Sequence, residues 1–450
     1  MKLQAYPSYK PSGVEWLGEV PEHWSVQKLK YLCKVQTGDK DTVEATDGGA
    51  YPFFVRSQTI ERIDSFAFDC EAVLTAGDGV GVGKVFHYHI GRFDFHQRVY
   101  MMNNFRHITG RFFFYFLKQQ FCRVALEGNA KSTVDSLRMP LFLDFSFTLP
   151  PLPEQDAITV YLDRETRRID RLLGKKQELI ERLKEKRSAL ISRTVTCGLP
   201  SAAARAAGFP ESPALKPSGI EWLGRIPAHW EVRRFRHLVT QLDQGWSPNA
   251  NSYPAAPDEL GVLKLSAASK GRFHPEESKA LDEISESVFP MTPAAGDLLV
   301  SRANTPELVG DACVVEDDYP KRIIPDLLYR LRFRTDTDVH FVCWFLLSRP
   351  GRAQIESDAR GSSGSMVKLG QGHLRAWSLP LPPLPEQVAI AEYLNVETEK
   401  MDALVAKIEA AADRLQEYRS ALVTAAVTGK VDVRGSPALA TSELAEMAVR

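Results

Sequence analysis

Three histidines, His87, His89 and His96, lie close together in the chain, and imidazoles are common metal ligands. Their His-x-His spacing on a strand, without a nearby carboxylate or cysteine, fits surface or core histidines better. Gly77 to Lys84, GDGVGVGK, has the glycine content of a phosphate cradle. The P-loop spacing, however, requires glycine where Asp78 stands and Ser or Thr where Val85 stands, so the segment reads as a glycine-rich hairpin tip. Pro257-Asp258 followed by Glu277-Ser278-Lys279 has the pattern of a magnesium nuclease, with two carboxylates for the ion and a lysine beside the attacking water. That stretch is rich in Pro and Glu and shows no clear strands. Both proline clusters read LPPLPEQ, not the NPPY or DPPY of an amino-methyltransferase, and their PxxP spacing fits a hinge before a helix better than an SH3 ligand. Cys33, Cys70, Cys122, Cys197, Cys313 and Cys343 are scattered, giving neither a disulfide framework nor a zinc site. No catalytic or metal constellation is expected.

What remains is a set of hydrogen-bonding side chains in polar loops. In the first half these are Arg56, Ser57, Gln58, Lys84, His87, His89, Arg92, His96, Gln97, Arg98, Lys131 and Ser132. In the second they are Lys264, Ser266, Ser269, Lys270, Arg302, Asn304, Arg360, Ser362, Ser363 and Lys368. Arg can bridge guanine, Asn or Gln can bridge adenine, and Ser or Lys can hold phosphate. The same residue types are equally at home as solvated loop residues.

These loops need a scaffold, and both regions read as mixed α and β. YPFFVRSQTI is a strand entering a polar loop, VLTAGDGVGVGKVFHYH a hairpin, and RFFFYFLKQQF a short buried helix before a polar loop at 128–136. GVLKLSAASKGRF, GDLLVSRANTPELVGDACVV, HFVCWFLLSRPGRAQI and GSSGSMVKLGQG follow the same order in the second half. Polar loops on a rigid sheet are where a binding surface is usually built.

The ends of the two halves repeat outright. YKPSGVEWLGEVPEHWSV at 9–26 recurs as LKPSGIEWLGRIPAHWEV at 215–232, and LPPLPEQ at 149–155 recurs at 381–387. Between these matched ends, 29–147 and 237–378 show almost no mutual similarity, which points to one framework carrying two different readers. After each hinge runs a long helical pattern, expected from Glu154 to Thr196 and from Glu386 to Thr428, with Pro153 and Pro385 at the first turn. Seven-residue steps give a seam of Leu162, Ile169, Lys176, Leu183 and Leu190 in the first and Leu394, Met401, Ile408, Leu415 and Leu422 in the second. Leu172, Leu173, Leu179 and Ile180 are expected to widen the first stripe, and Leu404 and Val405 the second. About 43 residues make a helix of roughly 65 Å, too long for burial in one small domain, so the two are expected to pair antiparallel as a ruler. The second Trp-rich opening follows the first helix. The first opening is therefore expected to lie in space after the second helix, in a circular plan.

Composition sets the limits. Of 450 residues, 44% are hydrophobic and 25% charged, and 56 Lys plus Arg against 57 Asp plus Glu leave a net charge of -1, so a wholly basic nucleic-acid binder and a disordered chain are both excluded. Neither variable region is strongly basic, so any polyanion contact must be local and is expected to lean on a partner's charge. The opening has no signal-peptide core and no stretch is apolar enough to span a bilayer, so a cytoplasmic protein is expected.

With these motifs in hand, the chain resembles the specificity subunit of type I restriction-modification enzymes. The resemblance rests on PSGVEWLG and PSGIEWLG, the paired LPPLPEQ hinges with their helices, and the endings RSALISRTVTCGL and RSALVTAAVTGKV; SRANTPELVG at 301–310 also resembles a target-recognition segment of that family. It implies an α+β, non-catalytic reader of double-stranded DNA, with two mixed α/β target recognition domains, a coiled-coil spacer of two antiparallel helices and a pseudo-twofold internal repeat. Its implied layout is domain 1 at 1–150, helix 1 at 151–199, linker at 200–214, domain 2 at 215–383, helix 2 at 384–430 and a tail at 431–450. Implied partners are methyltransferase subunits that use S-adenosylmethionine and restriction subunits that use ATP and Mg, with no cofactor in this chain. Ala189, Ala421, Ala425 and Ala426, on the helix faces outside the seam, are candidate docking positions for the methyltransferase, although seam or core packing suits any single one better. Two other readings stay open from the residues alone: a helical scaffold without DNA, and a magnesium nuclease built on Asp258, Glu277 and Lys279.

Overall fold

A computed structural model describes residues 4–121, 137–281, 291–363 and 366–435. The chain forms two compact units: Met1–Gln177 with Glu409–Arg450, and Glu178–Ile408. Each is a mixture of small sheets and helices, and each takes part of both long helices. The first long helix spans Leu152–Cys197 and the second Leu384–Val427, so each begins at the Leu before its proline, two residues ahead of the expected glutamate. Proline is tolerated there because a first-turn N–H has no helical partner.

In the first unit, the hairpin Tyr9–Pro11 with Glu19–Pro21 precedes strand Ser25–Lys28, which pairs antiparallel with Ser146–Leu149. The two ends of the variable region are thus stitched together beside the hinge. Between them lies a six-stranded sheet in the order Lys34–Thr37, Val99–Asn103, Phe68–Ala76, Phe86–Phe95, Tyr51–Phe54, Glu61–Ile63. Helix Gly110–Gln120 starts at Thr109, whose Oγ1 accepts the Phe112 N–H, and buries Phe112, Phe113 and Phe116. These rings share one core with Trp24, Phe147, Ile158, Leu162 and Ile169, and with Leu422, Val423, Ala426 and Val427 of the second helix. Burial of six such aromatic and branched side chains is worth of order 10 kcal/mol before the entropy of ordering them is subtracted.

The circular plan is realised here. The chain after the second helix returns to the first opening: Asp432 N–H donates to Gln4 O at 2.8 Å, and Lys430 Nζ to Glu19 O at 2.7 Å. Gly429, at φ +73°, makes the turn, and a Cβ there would lie 2.3 Å from Pro21 Cδ and 3.1 Å from the Trp24 ring. Only glycine meets both demands.

The second unit repeats these elements. Leu215–Pro217 pairs with Arg225–Pro227, and Glu231–Arg234 with Ser378–Leu381. Its main sheet runs Val239–Gln244, Leu328–Phe333, Leu298–Ser301, Ala312–Val314, flanked by two three-stranded sheets. Helix Val339–Leu347 is capped by Asp338, and its Phe341 packs with Trp230, Trp377, Ile191, Val195, Ile390 and Leu394.

Within each unit the two helices run antiparallel. In the first, Thr148 Oγ1, just before the first helix, donates to Val427 O at the end of the second, and further along Asp170 meets Arg419. In the second, Ile191 and Val195 share a core with Ile390 and Leu394, and Arg187 meets Asp402. Of the seam positions, Leu162, Ile169, Leu394, Ile408 and Leu422 are buried, while Lys176, Leu183, Leu190, Met401 and Leu415 are half-buried. Leu173, Ile180 and Val405 lie on the seam, but Leu172, Leu179 and Leu404 are exposed and do not widen it. Two helices that touch along one line bury a stripe only about two positions per heptad wide, which leaves these three on the solvent side. Ala426 is core, Ala425 half-buried, and Ala189 and Ala421 exposed.

Candidate nucleic-acid interface

Each hinge is fixed by a buried glutamate at the start of a long helix. Glu154 Oε1 accepts from Trp24 Nε1 at 3.2 Å and Tyr6 Oη at 2.6 Å, while Oε2 lies 2.8 Å from His23 Nε2. Glu386 Oε2 accepts from Trp230 Nε1 at 3.1 Å and lies 2.8 Å from His229 Nε2. The neighbouring glutamines tie the hinge to the short helix of the variable region: Gln155 Oε1 accepts the Thr109 N–H and Gln387 Oε1 the Asp338 N–H, both at 2.8 Å. The repeated EHW or AHW and PEQ motifs thus lock each variable region onto its helix.

Although their sequences differ, the two variable regions share a core. The four-stranded sheet of the second unit has the same antiparallel order as the first four strands of the six-stranded sheet. In both, the loop after the central strand is bound alike: Gly77 N–H donates to Arg98 O and Arg302 N–H to Leu327 O, while Gly77 O and Arg302 O accept from the N–H groups of Leu137 and Leu369. Tyr100 Oη donates to Leu137 O at 3.3 Å, and Tyr329 Oη to Leu369 O at 3.0 Å.

At that loop the first unit gathers several of the expected side chains. Arg56 Nη1 and Arg98 Nη1 both donate to Asp78, at 2.8 and 3.1 Å. Gln58 Nε2 donates to Lys84 O at 2.7 Å, and Ser57 Oγ to Thr59 O. Arg56, Ser57, Gln58, Lys84 and Arg98 are all exposed and form one polar surface with an excess of positive charge. Gln97, also exposed, donates to Asp41.

His87 belongs beneath this surface and not on it. Its ring is buried, with Nε2 2.9 Å from Ser57 O, and burial lowers its pKa below the ordinary imidazole value. This corrects the expectation of a contacting side chain: alternation along the strand turns residue 87 inward. His89 packs between Phe54 and Phe93, and the ring of His96 is buried, its Nδ1 accepting the Arg98 N–H. Arg92 pairs with Asp69 and covers the Phe66 ring, seven residues along its strand from Val85 and so about 20 Å from the tip. Lys131 and Ser132 lie outside the described residues.

In the second unit the expected side chains fall into three places. Arg302 and Asn304 follow the central strand; Asn304 pairs with Val367 on the strand carrying Lys368, and Arg302 O accepts the Leu369 N–H just after it. Arg302 Nη1 donates to Asp326 O, and Asp326 is held in turn by Ser247, beside the partly exposed Trp246. Lys264 and Ser266 are turned to Glu277, at 3.4 and 2.7 Å. Ser269 and Lys270 sit in a tight turn whose Arg272 donates to Asp402 of the second helix at 3.2 Å, which makes this turn a brace on the helices. Arg360, Ser362 and Ser363 fall on strand Arg360–Ser363.

Asp78, Asp326, Ser247 and Trp246 were not marked by the sequence. An acid in a glycine tip reads as a turn residue, and only the fold shows it holding two guanidinium groups. Of the nuclease candidates, Asp258 is exposed, Lys279 is exposed on a strand, and the Glu277 carboxylate is held by Lys264 and Ser266. Among the described residues, no group of three or more His, Cys, Asp or Glu is placed to hold a metal.

Residues 21–182 match the type I restriction modification DNA specificity domain. The chain is 24% identical over 438 residues to the type I restriction enzyme EcoDI specificity subunit of Escherichia coli, covering 92% of this chain and 90% of that one. The chain is thus similar to type I specificity subunits over nearly its whole length. Another relative is the MjaVIII specificity subunit of Methanocaldococcus jannaschii, 22% identical over 92% of this chain and 94% of its own. A chain from a solved structure concerned with complex assembly and conformational transition of the type I R-M system superposes with TM-score 0.59 at 15% identity, over 92% of this chain and 99% of that one, a likeness of fold. No helix among the described residues is long and apolar enough to cross a membrane.

Proposed function

We propose that the chain is a specificity subunit that reads a split DNA target, one half with each unit, through the polar surface around the loop that follows the central strand of each sheet. The first reading surface is Arg56, Ser57, Gln58, Lys84 and Arg98; the second is Arg302, Asn304 and Lys368, with Trp246 and Ser247. The observation that carries this reading is the same loop, bound by the same backbone pattern, bearing different polar side chains in the two units. One frame with two alphabets is what a bipartite reader requires.

Two half-sites on one face of B-DNA must lie about one helical turn apart, roughly 34 to 36 Å, or a multiple of it. The bases between the half-sites go unread. The chain is non-catalytic. Methyltransferase subunits with S-adenosylmethionine extrude and methylate the target base, restriction subunits consume ATP, and the assembly works in the cytoplasm. The surface charge is modest, so affinity depends on charge supplied by the partner as well.

Methylation mapping of the host genome with and without the gene tests this directly. A split motif that vanishes on deletion is the expected result; an unchanged methylation pattern contradicts it.

A further inference from the structure

The tip between the central hairpin strands of the first unit contains three valines, and they do different things. Val82 and Val85 are buried, while Val80 is 86% exposed at the apex. The apex is rigid: Val82 N–H donates to Gly79 O, and both Lys84 and Val85 N–H groups donate to Gly81 O. Gly81 permits this close folding, since a Cβ there would lie 2.6 Å from Arg56 O. Two residues before Val80, the Asp78 carboxylate holds both Arg56 and Arg98. An apolar side chain with no core to enter is therefore held on a braced loop, two residues from a carboxylate that gathers two guanidinium groups.

We infer that Val80 is a base-reading side chain that contacts the 5-methyl group of a thymine in the major groove of the first half-site. This rests on the proposed reading surface and adds a specific contact to it. Thymine is the one base that presents an apolar group in the major groove, and small apolar side chains recognise it there, while the Arg groups held by Asp78 suit guanine edges or phosphates. A minor-groove wedge is the other use of an exposed apolar tip. Side chains that unstack base steps are longer, such as Phe, Leu, Ile or Met, and the short Val80 on a narrow tip suits contact better than insertion.

Once mapping has given the target, the assembled complex is titrated with duplexes in which each thymine of the first half-site is replaced in turn by deoxyuridine, which removes only the methyl group. One replacement is expected to weaken wild-type binding about fourfold, the worth of one buried methyl. Val80→Ala should bind the parent duplex about fourfold more weakly and should be indifferent to that replacement, with unchanged thermal stability because the side chain is exposed. Insensitivity of the wild type to every replacement, or the same sensitivity in Val80→Ala, overturns the inference. Arg56→Ala and Arg98→Ala separate this from the reading beneath it. If they relax the first half-site while Val80→Ala does not, only the methyl contact falls; if they too leave it unaltered, the surface itself is wrong.

Discussion

Asp170 and Arg419 join the two long helices in the first unit, with Arg419 Nε 3.0 Å from Asp170 Oδ1. When the LPPLPEQ motifs are aligned, these positions correspond to Asp402 and Arg187, which approach to 3.2 Å in the second unit. The same contact is therefore made twice, with the roles of the helices exchanged. Such a relation fixes the register of an antiparallel pair, because sliding one helix by a turn breaks both contacts.

Partly exposed ion pairs contribute little energy, so their value here lies in register. Asp170→Arg and Arg419→Asp should each destabilise by roughly 0.5 to 1 kcal/mol, and the double exchange should recover most of it. A double-mutant cycle from urea unfolding measures the coupling. Zero coupling at both pairs would leave register to the apolar seam alone.

The hinge glutamates should matter more. Glu154→Ala strands the buried Trp24 indole N–H and the Tyr6 hydroxyl without an acceptor, and Glu386→Ala does the same to Trp230. Each should cost about 2 to 3 kcal/mol. Tryptophan fluorescence during denaturation reports this, and a loss below about 0.5 kcal/mol would show the hinge is held by packing instead.

His87 gives a pH dependence of definite sign. Burial lowers its folded pKa below the ordinary 6.5, so the unfolded state binds the proton more readily. The stability contributed by the neutral ring is fully present above about pH 6.5 and is lost as pH falls through that value toward the lowered folded pKa. Wild type should thus lose more thermal stability than His87→Gln between pH 7.5 and 5.5, with the loop at Ser57 loosening first. Parallel melting curves for the two proteins would contradict the assignment.

The two reading surfaces should act independently. In the assembled complex, Arg56→Ala or Arg98→Ala should relax only the first half of the methylated motif and Arg302→Ala only the second. A lost bidentate base contact reduces discrimination by about 1 to 3 kcal/mol, and a lost phosphate contact instead weakens all sequences alike. Methylation profiling against salt concentration separates these outcomes.

Much of the frame was legible because its signals are local. The proline starts, the heptad steps from Leu162 and Leu394 and the doubled Trp-rich opening each lie within a short window, and the order of the repeats placed the first opening after the second helix, though not the contact of Asp432 with Gln4 that makes the return. The common sheet of the variable regions was visible only as an order of elements, because Tyr100 and Tyr329 occupy the same place among unrelated neighbours. The candidate site was less legible. Whether Lys270 faces solvent or braces a helix depends on where Arg272 meets Asp402, a contact distant in sequence, and His87 is buried because of the pairing of its strand. Local pattern carries neither fact.

The central claim is that each variable region reads its own half of the target. Residues 29–147 should be replaced by the corresponding region of a relative with a different target, the chimera assembled with its methyltransferase partner, and the methylated motif mapped. The account predicts that one half of the motif changes while the other half and the spacing between them persist. A motif left unaltered, or altered in both halves, would contradict it.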